Sequence, residues 1–135
     1  EIKNAKKLVN QYGLENKVTF LGKTNDIQKI LSITDLFLLP SNSESFGLVA
    51  LEAMAYSIPV ITTNNGGITE VVDNNKNGFT FSVGDIEKMT KKCIEILNDP
   101  IMYSRFSQNA FNKSKEFDIE KILPLYEKCY FQLIK

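Results

Sequence analysis

The chain of 135 residues contains no histidine and no tryptophan, and it has only two cysteines and four prolines. Without histidine, neither imidazole base catalysis nor a histidine-containing zinc site can be built within this chain. No cluster of Asp, Glu and Cys shows ligand spacing either, so we expect no metal cofactor. Cys93 and Cys129 lie far apart and outside a Cys-x-x-Cys spacing, which favours free thiols in a reducing compartment. We therefore expect a cytoplasmic protein.

A net charge is also lacking, since sixteen basic residues balance sixteen acidic ones. Binding to nucleic acid or to an anionic membrane generally needs a basic surface, so we expect neither partner. Apolar runs of about 18 residues, the length of a membrane span, are missing too. What the chain does have is 43% apolar residues, enough to bury the core of one soluble domain.

The first residue is Glu1 rather than methionine, and residues 2–12 already follow the spacing of an amphipathic helix. This charged opening is not a signal peptide. We interpret the sequence as a piece of a longer protein.

Short β-prone runs alternate with helical spacing over the first 84 residues, and only helical spacing follows. The run at 36–39 is continuously apolar, the pattern of a strand covered on both faces of a parallel sheet. We predict an α/β fold with a parallel sheet in residues 1–84 and helices in 85–135, and ligands bind such sheets outside the carboxyl ends of the strands. The predicted strands are 18–21, 36–39, 59–63 and 79–81. The predicted helices are 2–12, 26–33, 46–55, 68–72, 85–97, 101–115 and 119–134.

The helical segment 46–55 is almost wholly apolar and contains a single charge, Glu52, eight positions after Glu44. Burying an unpaired carboxylate costs several kcal/mol or forces it neutral. A core helix that keeps Glu52 is therefore expected to use it on a ligand or a partner residue. Glu44 lies in the loop 41–47, which follows the predicted strand 36–39 at the ligand-binding edge.

The backbone N–H groups at the start of this helix form a potential anion site, into which a phosphate would fit. They belong to Ser45, Phe46, Gly47 and Leu48. A purely structural interpretation stays open, with Glu44 as an exposed charge favourable to the helix dipole and Glu52 paired with a lysine. A glycosidase would need the two carboxylates to face each other, which spacing alone does not establish.

Residues Glu44 to Glu52 resemble the Glu-x7-Glu signature of retaining glycosyltransferases of family 4, which have the GT-B fold of two Rossmann-like domains. The resemblance implies that this chain is the C-terminal, donor-binding half of a GT-B fold, with a Rossmann-like sheet and a helical C-terminal tail. It also implies an N-terminal truncation, an absent acceptor domain and no activity of the piece alone. Further matches, in order and spacing, are 18–22, 35–41, 53–55, 59–60, 66–70 and 78.

By position, the resemblance implies that Glu44 is the catalytic residue and holds hydroxyls of the donor hexose, while Glu52 holds the ribose hydroxyls of a UDP-sugar. Transfer would proceed with retention on the front face, with neither an enzyme nucleophile nor a metal. We interpret Gly66 and Gly67 in two ways that hold together: they form a turn with a left-handed backbone, and their backbone lies close to the substrate. The implied donor-binding residues are Glu52, Ser45, Phe46, Gly47, Leu48, Leu21, Gly22, Lys23, Gly66 and Gly67.

Within the family, residues 21–23, 44–48, 50–55 and 83–85 resemble the N-acetylglucosaminyltransferases that act on L-malate in bacillithiol biosynthesis. That resemblance implies UDP-N-acetylglucosamine as donor and a small acceptor such as L-malate, with a glycan as another acceptor. The alternative from a different class is a non-catalytic Rossmann-like nucleotide-binding domain or a protein-association domain.

The chain departs from the family pattern in three respects. The Arg and Lys that clamp the diphosphate have no match, and neither do two strands that normally lie between 18–21 and 36–39. We therefore expect 18–21 to lack a strand partner, and the exposed edges to favour homo-oligomers. Ser57 takes a place that is generally glycine, so it is strained if the backbone there needs a positive φ.

Overall fold

The computed structural model describes residues 2–134. Three short strands form one parallel sheet in chain order: β1 (Phe37–Leu39), β2 (Val60–Thr63) and β3 (Gly78–Phe81). Phe37 is in register with Val60, and Val60 with Gly78. A helix covers each connection between neighbouring parallel strands, as a βαβ unit requires. The predicted α/β fold class with a Rossmann-like parallel sheet is confirmed.

The helices lie close to their predicted positions. Asp85 and Asp118 cap helices as expected, and Asp99 caps another by accepting hydrogen bonds from Ile101 N and Met102 N. Pro100 follows Asp99 in the first turn, where its missing N–H is tolerated. The helices are α1 (Ile2–Gln11), α2 (Ile27–Leu31), α3 (Leu48–Ala55), α4 (Ile68–Val71), α5 (Ile86–Asn98), α6 (Pro100–Ser114) and α7 (Ile119–Leu133), with a 3-10 turn at Lys115–Phe117 between the last two.

The core lies on both faces of β2, all of whose residues are buried. Because side chains alternate along a strand, Val60 and Ile61 belong to different apolar clusters. The Val60 cluster includes Met54 of α3, and the Ile61 cluster includes Phe106 of α6, whose ring stacks on Phe79 at 5.3 Å between centroids. The sheet is thus sandwiched between helices on either side.

The β1 edge is open in the described part of the chain. β1 pairs only with β2, and Leu38 is 48% exposed. The expectation that 36–39 is covered on both faces is wrong, because the helices cover β2 and β3 more fully than this three-residue edge strand. Residues 18–21 form no strand and no ladder with 36–39, as expected for a β-prone run without a partner.

The two end helices carry apolar side chains that the described residues leave exposed. α1 and α7 contain no buried residue, although α1 has the predicted amphipathic spacing. The Nζ atom of Lys6, in α1, lies 5.5 Å from the centre of the Phe20 ring. None of the helices in residues 2–134 is long and apolar enough to cross a membrane. Homo-oligomer formation at the exposed surfaces stays a prediction.

Candidate functional site

The loops that follow β1 and β2 meet at the carboxyl edge of the sheet, where the fold predicts a ligand. The first loop spans 40–47 and carries Glu44, and the second spans 64–67. Glu44 and Gly66 form an isolated parallel bridge between them. The structure therefore brings together four of the predicted site residues, Glu44, Ser45, Gly66 and Gly67.

Three hydrogen bonds hold the first loop against the end of β2 and the loop after it. The Thr63 hydroxyl donates to the carbonyl oxygen of Ser41 at 2.6 Å, and the Asn65 side-chain amide donates to the carbonyl oxygen of Asn42. The backbone N–H of Gly67 donates to the carbonyl oxygen of Ser45 at 3.1 Å. Thr63 and Asn65 were not singled out from the sequence, where only their polar character after a buried strand marks them.

Gly66 and Gly67 permit a close approach between the two loops. A Cβ on Gly66 would overlap the carbonyl oxygen of Glu44, and a Cβ on Gly67 would overlap that of Ser45. Gly66 has the predicted left-handed conformation, with φ +84°, whereas Gly67 is right-handed, with φ −72°. The left-handed turn is thus confirmed at Gly66 alone. The approach seen here is to the backbone of the first loop, and contact of either glycine with a donor stays a prediction.

The start of α3 exposes helix N–H groups that no side chain caps. Gly47 is the N-cap residue with φ 90°, and no side chain accepts a hydrogen bond from the first turn. The N–H groups of Ala50 and Leu51 donate to the carbonyl oxygen of Gly47. Those of Leu48 and Val49, in the first turn, remain available to an anion. The absence of a side chain at Gly47 does not leave a vacant space, because Ile68 of α4 fills it.

Glu52 is exposed, contrary to the expectation that a core helix buries it. α3 buries Ala50, Ala53 and Met54 against the sheet, and its opposite side remains open. An apolar residue pattern around all sides of α3 therefore does not mean burial on all sides. Since the Glu52 carboxylate is not desolvated, its role must be argued from position rather than from a burial penalty.

Glu52 lines an open cavity of about 520 Å³ between α3 and the end of α6. Leu48 and Ala55 line the same cavity, so these three residues share a face of α3 as predicted. Apolar side chains make up most of the wall, which also contains three charged residues, Glu52, Lys115 and Asp118. The other lining residues are Leu51, Phe111, Ser114, Lys115, Phe117 and Asp118.

Neither glutamate forms an ion pair with any of residues 2–134. The structural interpretation in which Glu52 pairs with a lysine is therefore not seen in this part of the chain. Glu44 is half-buried and Glu52 exposed, so both carboxylates can accept hydrogen bonds from a ligand.

Leu21, Gly22 and Lys23 lie in an exposed segment without regular structure. Across residues 2–134, no hydrogen bond joins them to the loop 40–47 or to α3. Gly22 has φ +68° and open space around it. The structure does not bring these three residues to the glutamates, and their contact with a nucleotide base stays a prediction.

Comparison with known proteins decides the family. The family described as "Glycosyl transferases group 1" matches residues 1–113. The chain belongs to this family. Among glycosyltransferase relatives, it is similar to the N-acetyl-alpha-D-glucosaminyl L-malate synthase of Bacillus anthracis, with 38% identity over 129 residues that cover 95% of this chain and 34% of that protein.

Solved glycosyltransferase structures share the fold. Sucrose-phosphate synthase from Thermosynechococcus elongatus matches with a TM-score of 0.87 and 30% identity, covering 98% of this chain and 34% of that one. Anabaena Alr3699/HepE in complex with UDP-glucose matches with a TM-score of 0.87 and 28% identity, covering 97% and 36%. These neighbours are GT-B glycosyltransferases, as the resemblance implied. The chain spans about a third of the length of these proteins.

Proposed function

We propose that these residues form the donor-binding part of a retaining glycosyltransferase of family 4. The donor is UDP-N-acetylglucosamine, and the acceptor is a small molecule such as L-malate, with a glycan as the other acceptor class. The observation that carries the proposal is the placement of Glu44 beside Gly66 at the carboxyl edge of the sheet, and of Glu52 on α3, whose start no side chain caps. Family membership and the similar synthase support the choice of reaction and of sugar.

Each part of the donor meets a group suited to it. The Glu52 carboxylate accepts hydrogen bonds from the vicinal ribose hydroxyls, and the Glu44 carboxylate accepts them from the hexose. The N–H groups of residues 45–48, together with the positive end of the α3 dipole, bind the diphosphate. Gly66 and Gly67 border the sugar, while residues 21–23 reach the base in the complete protein. The UDP-glucose complex of Anabaena HepE supports a nucleotide-sugar donor.

Transfer takes place on one face of the sugar. The bond between the anomeric carbon and the diphosphate oxygen breaks, and the acceptor oxygen bonds to that carbon from the same side. The acceptor proton passes to the leaving diphosphate, whose charge the α3 N-terminus stabilises. Glu44 positions the hexose, so orientation and electrostatics supply most of the rate acceleration. The proposal includes no metal cofactor.

The proposal also places the protein in the cytoplasm. Cys93 and Cys129 are both free thiols, which is the usual state of cysteine in reducing compartments. Under this proposal, the transfer from a UDP-sugar to a small soluble acceptor takes place in the cytoplasm.

Calorimetric titration of UDP into the complete gene product that contains these residues tests the proposal. Glu52→Gln keeps the side-chain shape and removes the charge, so we expect UDP binding to weaken by roughly 1–3 kcal/mol. Glu87→Gln removes the same charge from the exposed first turn of α5 and serves as control. Unchanged affinity in Glu52→Gln would refute the assignment. A wild-type protein whose melting temperature does not respond to UDP would favour a protein-association domain instead.

A further inference from the structure

We infer that Thr63 and Asn65 are positioning residues for Glu44, and that the end of β2 sets the geometry with which the Glu44 carboxylate meets the donor sugar. The inference rests on the proposed function, in which Glu44 contacts the hexose. Neither residue contacts the donor under that proposal. They act through the backbone of residues 41 and 42.

The loop that carries Glu44 has no regular structure of its own between Leu39 and Leu48. The polar side chains after β1 do not form a helix or a strand that would fix it. Its first residues instead take their position from two hydrogen bonds to side chains, from the Thr63 hydroxyl to Ser41 O and from the Asn65 amide to Asn42 O. These bonds lie three and two residues before Glu44, while the bridge to Gly66 and the hydrogen bond from Gly67 N–H to Ser45 O hold the loop at and after it. Under the inference, losing either side-chain bond frees the approach to Glu44 and loosens its carboxylate.

Thr63 is a rigid anchor for such a bond. It is the last residue of β2, the central strand of the sheet, and it is 1% exposed. Phe81 of β3 is its partner in register. A hydroxyl fixed at the end of the central strand can hold the neighbouring loop in one position. A carboxylate that orients a substrate needs such a fixed position.

The neighbouring Thr62 provides a matched comparison. It is also fully buried, and its hydroxyl donates to the carbonyl oxygen of Leu39 at 3.0 Å. Leu39 is the register partner of Thr62 in the ladder, so its backbone is already placed by strand pairing. Removing the Thr62 hydroxyl therefore affects the strand, whereas removing the Thr63 hydroxyl affects the loop.

Loosening the loop should affect turnover more than nucleotide affinity. Under the proposed function, UDP is held by Glu52 and by the start of α3, and α3 keeps its place through buried Ala50 and Met54. The hexose contact depends on the first part of the loop, residues 41–44. Residues 45–47, whose N–H groups face the diphosphate under the proposal, adjoin α3 and are held separately by the hydrogen bond from Gly67 N–H to Ser45 O. A misplaced Glu44 then lowers kcat while the Kd of UDP changes little.

The test uses the complete gene product and the variants Thr63→Val, Thr63→Ser, Thr62→Val and Asn65→Asp. Release of UDP from UDP-N-acetylglucosamine is measured with and without L-malate, and UDP affinity by calorimetry. Hydrogen–deuterium exchange of residues 41–47 measures the loop directly, and thermal unfolding compares the stability of the variants.

We expect Thr63→Val to lower kcat by about tenfold and to change the Kd of UDP by less than about threefold. Thr63→Ser keeps the hydroxyl and should retain kcat, which a role in packing alone would not predict. Thr62→Val should lower the unfolding temperature as much as Thr63→Val and leave kcat unchanged. Exchange in 41–47 should rise in Thr63→Val and Asn65→Asp, but not in Thr62→Val.

The outcomes separate this inference from the proposed function. An active wild type whose Thr63→Val variant keeps its kcat overturns the inference and leaves the proposed function standing. Unaltered exchange of 41–47 in Thr63→Val overturns the anchoring whatever the activity. A wild type that neither binds UDP nor releases it overturns the proposed function, and with it the positioning of a catalytic Glu44 by Thr63.

Discussion

The carbonyl oxygen of Glu44 occupies the space in which a side chain at Gly66 would begin. The two residues form a parallel bridge, and Gly66 has the left-handed φ of +84°. Two independent constraints thus act on one residue, a steric one from the opposite loop and a conformational one from its own backbone.

Gly66→Ala should destabilise the protein by at least about 3 kcal/mol, because it adds a steric overlap with the Glu44 backbone to the strain of a left-handed alanine. Gly84→Ala separates the two effects, since Gly84 has the same φ of +84° and open space around it. That control should cost only about 1–2 kcal/mol. Denaturant unfolding measures both, and equal losses would contradict the steric explanation.

Ser57→Gly should stabilise the protein by up to about 1 kcal/mol. Ser57 has φ 63°, so the backbone at this position is left-handed and the serine is strained, as expected from the sequence for a positive φ. Glycine relieves that strain in the folded protein. Part of the gain in stability is lost because glycine also raises the conformational entropy of the unfolded chain. Asn75→Gly is the matched control, because Asn75 has φ 64° and asparagine tolerates this conformation. A larger gain at Asn75 than at Ser57 would count against the prediction.

Under the proposed function, Glu44→Gln should lower kcat by about a hundredfold, since a neutral amide replaces the carboxylate proposed to hold the hexose. The affinity for UDP should fall far less, because Glu44 lies in the loop and not on α3. Steady-state kinetics with UDP-N-acetylglucosamine, alongside UDP calorimetry, measures the two effects separately. Glu87→Gln should keep the wild-type rate. Equal rates for Glu44→Gln and wild type would exclude a catalytic role of Glu44.

Cys93 should react with iodoacetamide more slowly than Cys129. Burial raises the pKa of the Cys93 thiol, so a smaller fraction is thiolate at any given pH, and its reaction rate should continue to rise at higher pH. Cys129 is exposed on α7. Mass spectrometry of the alkylated peptides, with Cys93→Ser and Cys129→Ser as references, measures each rate. Faster labelling of Cys93 than of Cys129 at about pH 8 would contradict the burial of the Cys93 thiol.

Short β-prone runs, helical apolar spacing and cap residues predicted much of the fold. The strands at 36–39, 59–63 and 79–81 and the aspartate caps at 85 and 118 are present. The run 18–21 shows the limit of such patterns, since β-prone residues form a strand only when a partner strand accepts their backbone hydrogen bonds. The β-propensity of a segment does not show whether a partner strand is present.

The candidate site was predicted only in part. Glu44 was singled out by its spacing to Glu52 and by the family signature, and Gly66 by the resemblance and its place after a strand. The structure places both at the carboxyl edge of the sheet. The exposure of Glu52 was missed, because an all-apolar helix pattern does not show how many sides the sheet covers. Thr63 was missed because its hydrogen bond to Ser41 joins residues 22 positions apart, which leaves no local spacing to recognise.

The anchoring of one loop by another has a consequence for protein engineering. A designer who transplanted residues 44–52 alone into a foreign scaffold would carry over both acids and lose the threonine, asparagine and paired glycines that shape the first acid's surroundings. The smallest transferable unit is therefore discontinuous, with both strand ends and their loops moved together.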